Sequence, residues 1–226
     1  MNQISVAIDG PSGAGKSTLA RQAAQALGFL YVDTGAIYRT VALACSRNGV
    51  SPENPEQVSA LLPLLKIDLD YGEDGTQRML LNGEDVSNQI RTPEISMLTS
   101  AVSALPEVRA FLLEKQRELA RTRNVIMDGR DIGTVVLPEA TVKIYLTADA
   151  EARAQRRCTE LREKGIDISF DEVLRDVRQR DENDSNRAVS PLRRADDARL
   201  VDTTLLDLEQ SLEVLISVIR EGLPRD

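Results

Sequence analysis

The chain has 226 residues, 42% hydrophobic and 28% charged, a balance that excludes wholesale disorder and allows one good-sized core. Its 36 acidic and 28 basic residues leave a net charge of -8, aromatics are only 3%, and Trp is absent, so neither a polyanion-coating protein nor one that stacks bases on aromatic platforms is indicated. His is missing altogether, which removes Ser–His–Asp and Cys–His catalysis and every His-ligated metal. Cys45 and Cys158 have no CxxC spacing, so neither a zinc site nor a disulfide framework is supported. With no secretory leader in MNQISVAIDG and no apolar run of membrane length, the expectation is a reducing, cytoplasmic setting with no membrane or nucleic-acid partner.

Short apolar runs alternate with helix-length amphipathic segments, the pattern of an α/β protein with a mostly parallel sheet. Ser5–Ile8 reads as a buried first strand. Lys16–Leu27 reads as a helix closed by Gly28, and Phe29–Val32 as a second strand ending at Asp33. A helix from about Ala36 to Arg47 stops at Asn48-Gly49. Asn54-Pro55-Glu56 opens another, which Pro63 ends or bends. From Lys66 to Val86 the period changes: Ile67, Leu69 and Tyr71 alternate with polar residues, a turn spans 72–75, and Asn82-Gly83 marks a hairpin. That segment predicts a small antiparallel sheet, a compact appendage to the parallel core. Helices follow from Thr92 and from Pro106 to Arg121, the second with Val108, Phe111, Leu112 and Leu119 on one face. Val125–Met127, ending at Asp128, and Val142–Leu146 are further core strands. A helix runs from Asp149 to about Lys164-Gly165, and Ser169–Glu172 is a capping box. After a charged stretch, Arg178 to Arg199, come a short strand at Leu200-Val201 and a last helix with the stripe Leu205, Leu208, Leu212, Leu215 and Ile219, ending at Gly222.

One motif decides the class. Gly10, Pro11, Ser12, Gly13, Ala14, Gly15, Lys16 and Ser17, followed by Thr18, fit G-x-x-x-x-G-K-[ST], placed between a strand and a helix. The glycines let successive N–H groups turn toward a phosphate, and the helix N-terminus adds its dipole. Lys16 can reach the β/γ oxygens of a nucleotide, and the Ser17 hydroxyl can bind Mg²⁺. Lys16 is expected to be solvated when no ligand is bound. No N-K-x-D guanine motif is present and the chain is short for a motor, so a small kinase is favoured. Only five of the 28 basic residues are Lys, and Arg forks suit phosphates.

Together with the phosphate loop, Asp33-Thr34-Gly35-Ala36-Ile37-Tyr38-Arg39, Asp128-Gly129-Arg130-Asp131-Ile132-Gly133-Thr134, Arg180-Asp181 and Asp184-Ser185-Asn186-Arg187 closely resemble the bacterial cytidylate kinases, in order and along the whole chain. The resemblance implies a P-loop NTPase-type five-stranded parallel sheet flanked by helices, with the small antiparallel insertion at 66–86 and a short helical lid at 153–168. It implies one kinase domain over 1–226, with a monophosphate-binding region at 36–100. It also implies transfer of the ATP γ-phosphate to CMP or dCMP, with Mg²⁺.

A CMP phosphate oxygen is already ionised near neutral pH, so the reaction needs positioning and charge neutralisation rather than a general base. The candidate Arg ring is Arg39, Arg130, Arg180 and Arg187, with Arg156 or Arg157 reaching ATP from the lid helix. By resemblance, Thr34 and Arg39 meet the CMP phosphate, and Arg180 and Asp184 the ribose and its phosphate. Asp131, Arg109 and Ser100 take the cytosine edge. Lys16, Arg130, Arg180 and Arg187 are the expected catalytic group. Asp128 and Asp33 both end strands beside the loop, and either can hold a Mg²⁺ water. The alternatives are a kinase for UMP, AMP or a metabolite hydroxyl, and an ATP-binding switch without transfer. Nothing in the sequence marks an interface, so a monomer is expected.

Overall fold

Val6, Ala7 and Ile8 have no exposed surface, and that burial on both faces fixes the place of β1 (Ser5–Asp9) at the centre of the protein. The computed structural model describes residues 3–73, 75–163 and 165–224. The turn expected at 72–75 includes Asp74, and Lys164 was expected near a helix end; both lie outside the described residues. In chain order β1 is followed by α1 (Lys16–Leu27), β2 (Leu30–Asp33), α2 (Thr34–Arg47), α3 (Pro55–Leu61), β3 (Ile67–Tyr71), β4 (Gln77–Leu81) and β5 (Glu84–Asp85). Then come α4 (Pro93–Val102), α5 (Pro106–Thr122), β6 (Val125–Gly129), β7 (Val142–Thr147), α6 (Ala150–Glu163), α7 (Phe170–Ser185), β8 (Arg199–Asp202) and α8 (Leu208–Gly222).

The main sheet has five strands in the order β2-β6-β1-β7-β8, every pair parallel. Alternation along the strands divides the core between two faces. Val6, Ile8, Ile126 and Ile144 pack with α1 and α8 through Leu19, Ala20, Leu215 and Ile219. Ala7, Val125 and Met127 pack on the other side with Ile37 and Val41 of α2 and Leu112 of α5. The register sets Ile8 beside Asp128, Asp9 beside Gly129 and Asp33 beside Asp128, so three strand-end carboxylates meet at one edge of the sheet. Ligands of open α/β sheets bind at that carboxyl edge. No single helix among the described residues is long and apolar enough to cross a membrane.

The 66–86 segment forms its own antiparallel sheet, β3-β4-β5, with Asn82 at positive φ in the tight turn before Gly83. It is less of an appendage than expected. Ile67, Met79 and Leu81 belong to the same buried cluster as α2, and the Gln77 amide brackets the backbone of Asp33 at the edge strand β2, accepting from its N–H (2.8 Å) and donating to its C=O (3.2 Å). Three side-chain placements differ from the periodicity reading. Phe111 is 37% exposed, because the buried face of α5 runs through Val108, Arg109, Leu112 and Gln116 instead. Leu205 and Leu208 are 93% and 54% exposed: α8 starts only at Leu208, behind an Asp207 capping box, so its buried stripe begins a turn later. A π turn at Ile132–Val136 follows β6 and had no signature in the sequence pattern.

Candidate active site

The loop Gly10–Ser17 leaves β1 and enters α1, and its glycines are required. A Cβ on Gly10 would lie 1.9 Å from the Leu146 carbonyl oxygen, and Gly13 and Gly15 take left-handed φ values of 75° and 84°. Gly15 is the N-cap of α1 and no side chain caps that helix, so its first N–H groups are left for a ligand. The loop borders a cleft of about 830 Å³. Of the candidate site residues read from the sequence, all but Gly10 and Pro11 line it, from Ser12 to Thr18, with Asp33, Thr34, Arg39, Ser100, Arg109, Asp128, Arg130, Asp131, Arg156, Arg157, Arg180, Asp184 and Arg187.

Lys16 is not solvated as expected. It is 5% exposed and its Nζ donates to the Pro11 carbonyl at 2.6 Å, folding back on its own loop. Burial, and then the Arg130 cation, lower its pKa to about 7. Asp128 accepts from the Ser17 hydroxyl at 2.8 Å and from the buried Tyr31 phenol at 3.0 Å. Burial, and then the Asp33 charge, raise its pKa to about 6. Burial and the Asp128 charge also push the Tyr31 phenol up, so Tyr31 remains a donor. Asp33 is engaged differently: it caps α2 through the Ala36 N–H at 2.9 Å and lies 3.7 Å from Arg39 and 4.0 Å from Arg91. The sequence left the two carboxylates unranked; only Asp128 adjoins the Ser17 hydroxyl. Thr34 donates its proton to the Asp128 carbonyl at 2.7 Å, which leaves its oxygen to accept.

The arginines form a preorganised group. Arg130 Nε donates to Asp184 at 2.7 Å, and Arg187 pairs with the other oxygen of Asp184. Desolvation lowers the Arg187 pKa, and the Asp184 carboxylate opposes that. Arg180 lines the cleft with no hydrogen bond or ion pair among the described residues. At the far end Arg109, 8% exposed, donates to the Ser103 carbonyl at 2.8 Å, pairs with Asp131 and sits 5.4 Å from the centre of the Tyr38 ring. Ser100 lies on the same wall, its carbonyl accepting from the Ser103 hydroxyl at 3.1 Å. Arg156 is anchored to the Thr203 carbonyl at 2.5 Å, while Arg157 pairs at 3.0 Å with Glu160, which also lines the cleft.

Sequence reasoning missed Arg153, Tyr31 and Asp9. Arg153, 4% exposed, donates to the Ser12 carbonyl at 2.9 Å and forks onto Asp181 (2.9 and 2.5 Å), tying the phosphate loop to α7. It is one of four arginines on α6, and sequence offers no means of telling the inward one from the others. Asp9 did carry a signal, since it ends a buried strand just as Asp33 and Asp128 do. No three acidic or Cys side chains converge as a metal cage among the described residues. Ser17 and Asp128 nonetheless present hard oxygen donors side by side at the phosphate loop, which fits Mg²⁺ held jointly with nucleotide phosphates.

The cytidylate kinase family model matches residues 6–221. The chain is 52% identical over 214 residues to a cytidylate kinase of Carboxydothermus hydrogenoformans (95% of this chain, 96% of that one). It is 51% identical over 216 residues to a cytidylate kinase of Geobacter sulfurreducens (96% and 92%). Among solved structures, an uncharacterized protein from Eubacterium ventriosum shares the fold at TM-score 0.54 and 11% identity, covering 97% of this chain and 99% of its own. With a phosphate loop, an arginine ring and an Arg–Asp pair in one cleft and these relatives along nearly its whole length, the chain belongs to the cytidylate kinase family.

Proposed function

We propose that the chain transfers the γ-phosphate of ATP to CMP, and to dCMP, giving CDP and dCDP. The observation that carries the reading is that one cleft joins the phosphate loop to the buried Arg109–Asp131 pair, with four arginines around it. The acceptor nucleophile is a phosphate oxygen that is ionised without a base, in keeping with the absence of His. Thr34, Arg39, Arg130, Arg180 and Arg187 hold the acceptor phosphate, and Asp184 with Arg180 takes the ribose. The Asp131 carboxylate accepts from cytosine N4–H₂ while Arg109 and Ser100 serve the adjacent acceptors. Lys16 swings from the Pro11 carbonyl to the donor phosphates, and Arg157 or Arg156 meets ATP from the lid. When bound, Mg²⁺ neutralises phosphate charge; Ser17 would hold it, with Asp128 acting through water.

In this reading the 36–100 region, including the small sheet at 66–86, is the monophosphate side, and 153–168 is the lid over one kinase domain spanning 1–226. The chain works as a cytoplasmic monomer without nucleic acid. The test is a coupled assay over CMP, dCMP, UMP and AMP with ATP and Mg²⁺. Turnover of CMP and dCMP well above UMP and AMP is expected. ATP consumption indifferent to every monophosphate would overturn the reading.

A further inference from the structure

We propose that Asp9 and Arg117 are positioning residues for choice of the acceptor base: they cap the two ends of the π turn Ile132–Val136, and so leave the Asp131 carboxylate free to face the base. The proposal rests on the reading that Asp131 recognises cytosine. A helical turn leaves its first N–H groups and last C=O groups without internal partners. An Asp at the N-cap normally accepts from those N–H groups itself. Asp131 occupies the N-cap of this turn, yet its side chain caps nothing.

Asp9 performs that task from another strand. One of its carboxylate oxygens accepts from the Ile132 N–H and the other from the Gly133 N–H, both at 2.7 Å, and Asp9 itself is 4% exposed. The turn is pressed against it: a Cβ on Gly133 would lie 3.4 Å from the Asp9 carboxylate and 3.3 Å from the Lys143 stem. At the opposite end Arg117 of α5 donates to the Val135 and Val136 carbonyls, each at 3.0 Å. With both ends satisfied, Asp131 pairs with Arg109 at the cleft. Without the Asp9 cap, two buried N–H groups lose their acceptor. Asp131 is the carboxylate adjoining them in sequence, and it rotates to cap its own turn, leaving the base.

The experiment compares Asp9→Asn, Arg117→Gln and Asp131→Asn in the full chain, with the Asp9→Asn/Asp131→Asn double variant, by kcat/KM on CMP and UMP and by KM for ATP. Asn at position 9 can accept only one of the two N–H bonds. Asp9→Asn is expected to lower the CMP-to-UMP ratio roughly tenfold or more, mainly through KM for CMP, with KM for ATP unchanged. Arg117→Gln lowers it less. In the double variant Asp131→Asn adds little, because both changes remove the same carboxylate from the site. An unchanged ratio in Asp131→Asn overturns the base reading, and the proposal with it. A collapsed ratio in Asp131→Asn beside unchanged ratios in Asp9→Asn and Arg117→Gln overturns the proposal alone, as does an Asp9→Asn defect equal on both acceptors and multiplicative in the double variant. Should Asp9→Asn give no cooperative melt, Arg117→Gln decides by the same ratio, since its side chain is 32% exposed and its loss leaves the core intact.

Discussion

Replacing Asp131 by Asn keeps the outline of the side chain and removes its charge. The Asp131 and Arg109 side chains are 6% and 8% exposed, so their pair is desolvated and the change acts both on the fold and on the site. Breaking a buried ion pair outright costs roughly 3–5 kcal/mol. The Asn oxygen still accepts from Arg109, and the Ser103 carbonyl and Tyr38 ring still hold the guanidinium, so we place the loss of stability at about 1–3 kcal/mol. In the site, cytosine N4–H₂ loses a charged acceptor. A hydrogen bond to a charged group is worth about 1.5–3 kcal/mol, which is roughly ten- to a hundredfold in kcat/KM for CMP. UMP presents O4 where CMP presents N4–H₂, and removing the carboxylate relieves a repulsion. The CMP-to-UMP ratio is therefore expected to fall at least roughly tenfold, almost all of it through CMP. Asp131→Ala loses CMP activity without gaining UMP. The assay is initial-rate kinetics on both acceptors at saturating ATP, below the melting temperature of each variant, with urea denaturation as the separate measure of stability. Equal losses on CMP and UMP would reduce Asp131 to a structural partner of Arg109, and unchanged stability would refute the desolvated-pair argument.

Four further outcomes are expected. Lys16→Met keeps the buried stem and removes a cation that Arg130 repels, so urea titration should show stability maintained or raised while turnover drops roughly a hundredfold or more; near-normal turnover would contradict the role of the loop. Lys at Arg39, Arg130, Arg180 or Arg187 keeps charge and loses the fork, and should raise KM for CMP roughly tenfold with little change in melting; four harmless replacements would reduce the Arg bias to composition. Burial raises Asp128 to about pKa 6, so the folded protein binds a proton there that the unfolded chain has released between pH 4 and 6, and the Asp128 contribution to wild-type stability falls as pH rises through that window. Asp128→Asn lacks this drift, so its stability relative to wild type should climb by at most about 3 kcal/mol from pH 4 to 7 in denaturation curves, and a constant difference would refute the assignment. Gln77→Ala removes both side-chain bonds to the Asp33 backbone, and hydrogen exchange should show β2 and β4 opening more readily and gaining protection from CMP; identical protection with and without CMP would separate the small sheet from the monophosphate side.

Much of the fold was legible because its signals are local. Val6 to Ile8 and Val125 to Met127 are apolar runs of strand length, Gly28 and the Ser169 end carry helix-capping chemistry, and Asn82-Gly83 permits only a few backbone turns. The phosphate loop was legible for the same reason, since its glycines answer to backbone geometry within eight residues. Periodicity failed at the start of α8 because the Asp207 capping box delays the helix, and on α5 because partners on other elements had taken over. Arg109 and Gln116 displaced Phe111 from the inner face of α5, because Asp131, Ser103 and Tyr38 make that face habitable for a cation.

The residue types of the site were evident, but their division of labour was not. The sequence by itself determined a phosphate loop between strand and helix, arginine-rich motifs and the family these belong to, each written in contiguous motifs. Only the tertiary structure decided that Asp128 rather than Asp33 adjoins the Ser17 hydroxyl, that Arg153 rather than Arg156 or Arg157 turns inward to the loop, and that Lys16 is buried against Pro11. It alone decided that Asp9 caps the turn that Asp131 begins. The physical reason is that a carboxylate or guanidinium takes its role from whichever partner can satisfy it once buried, and parallel-sheet register brings together partners more than a hundred residues apart, as it does Asp9 and Gly133.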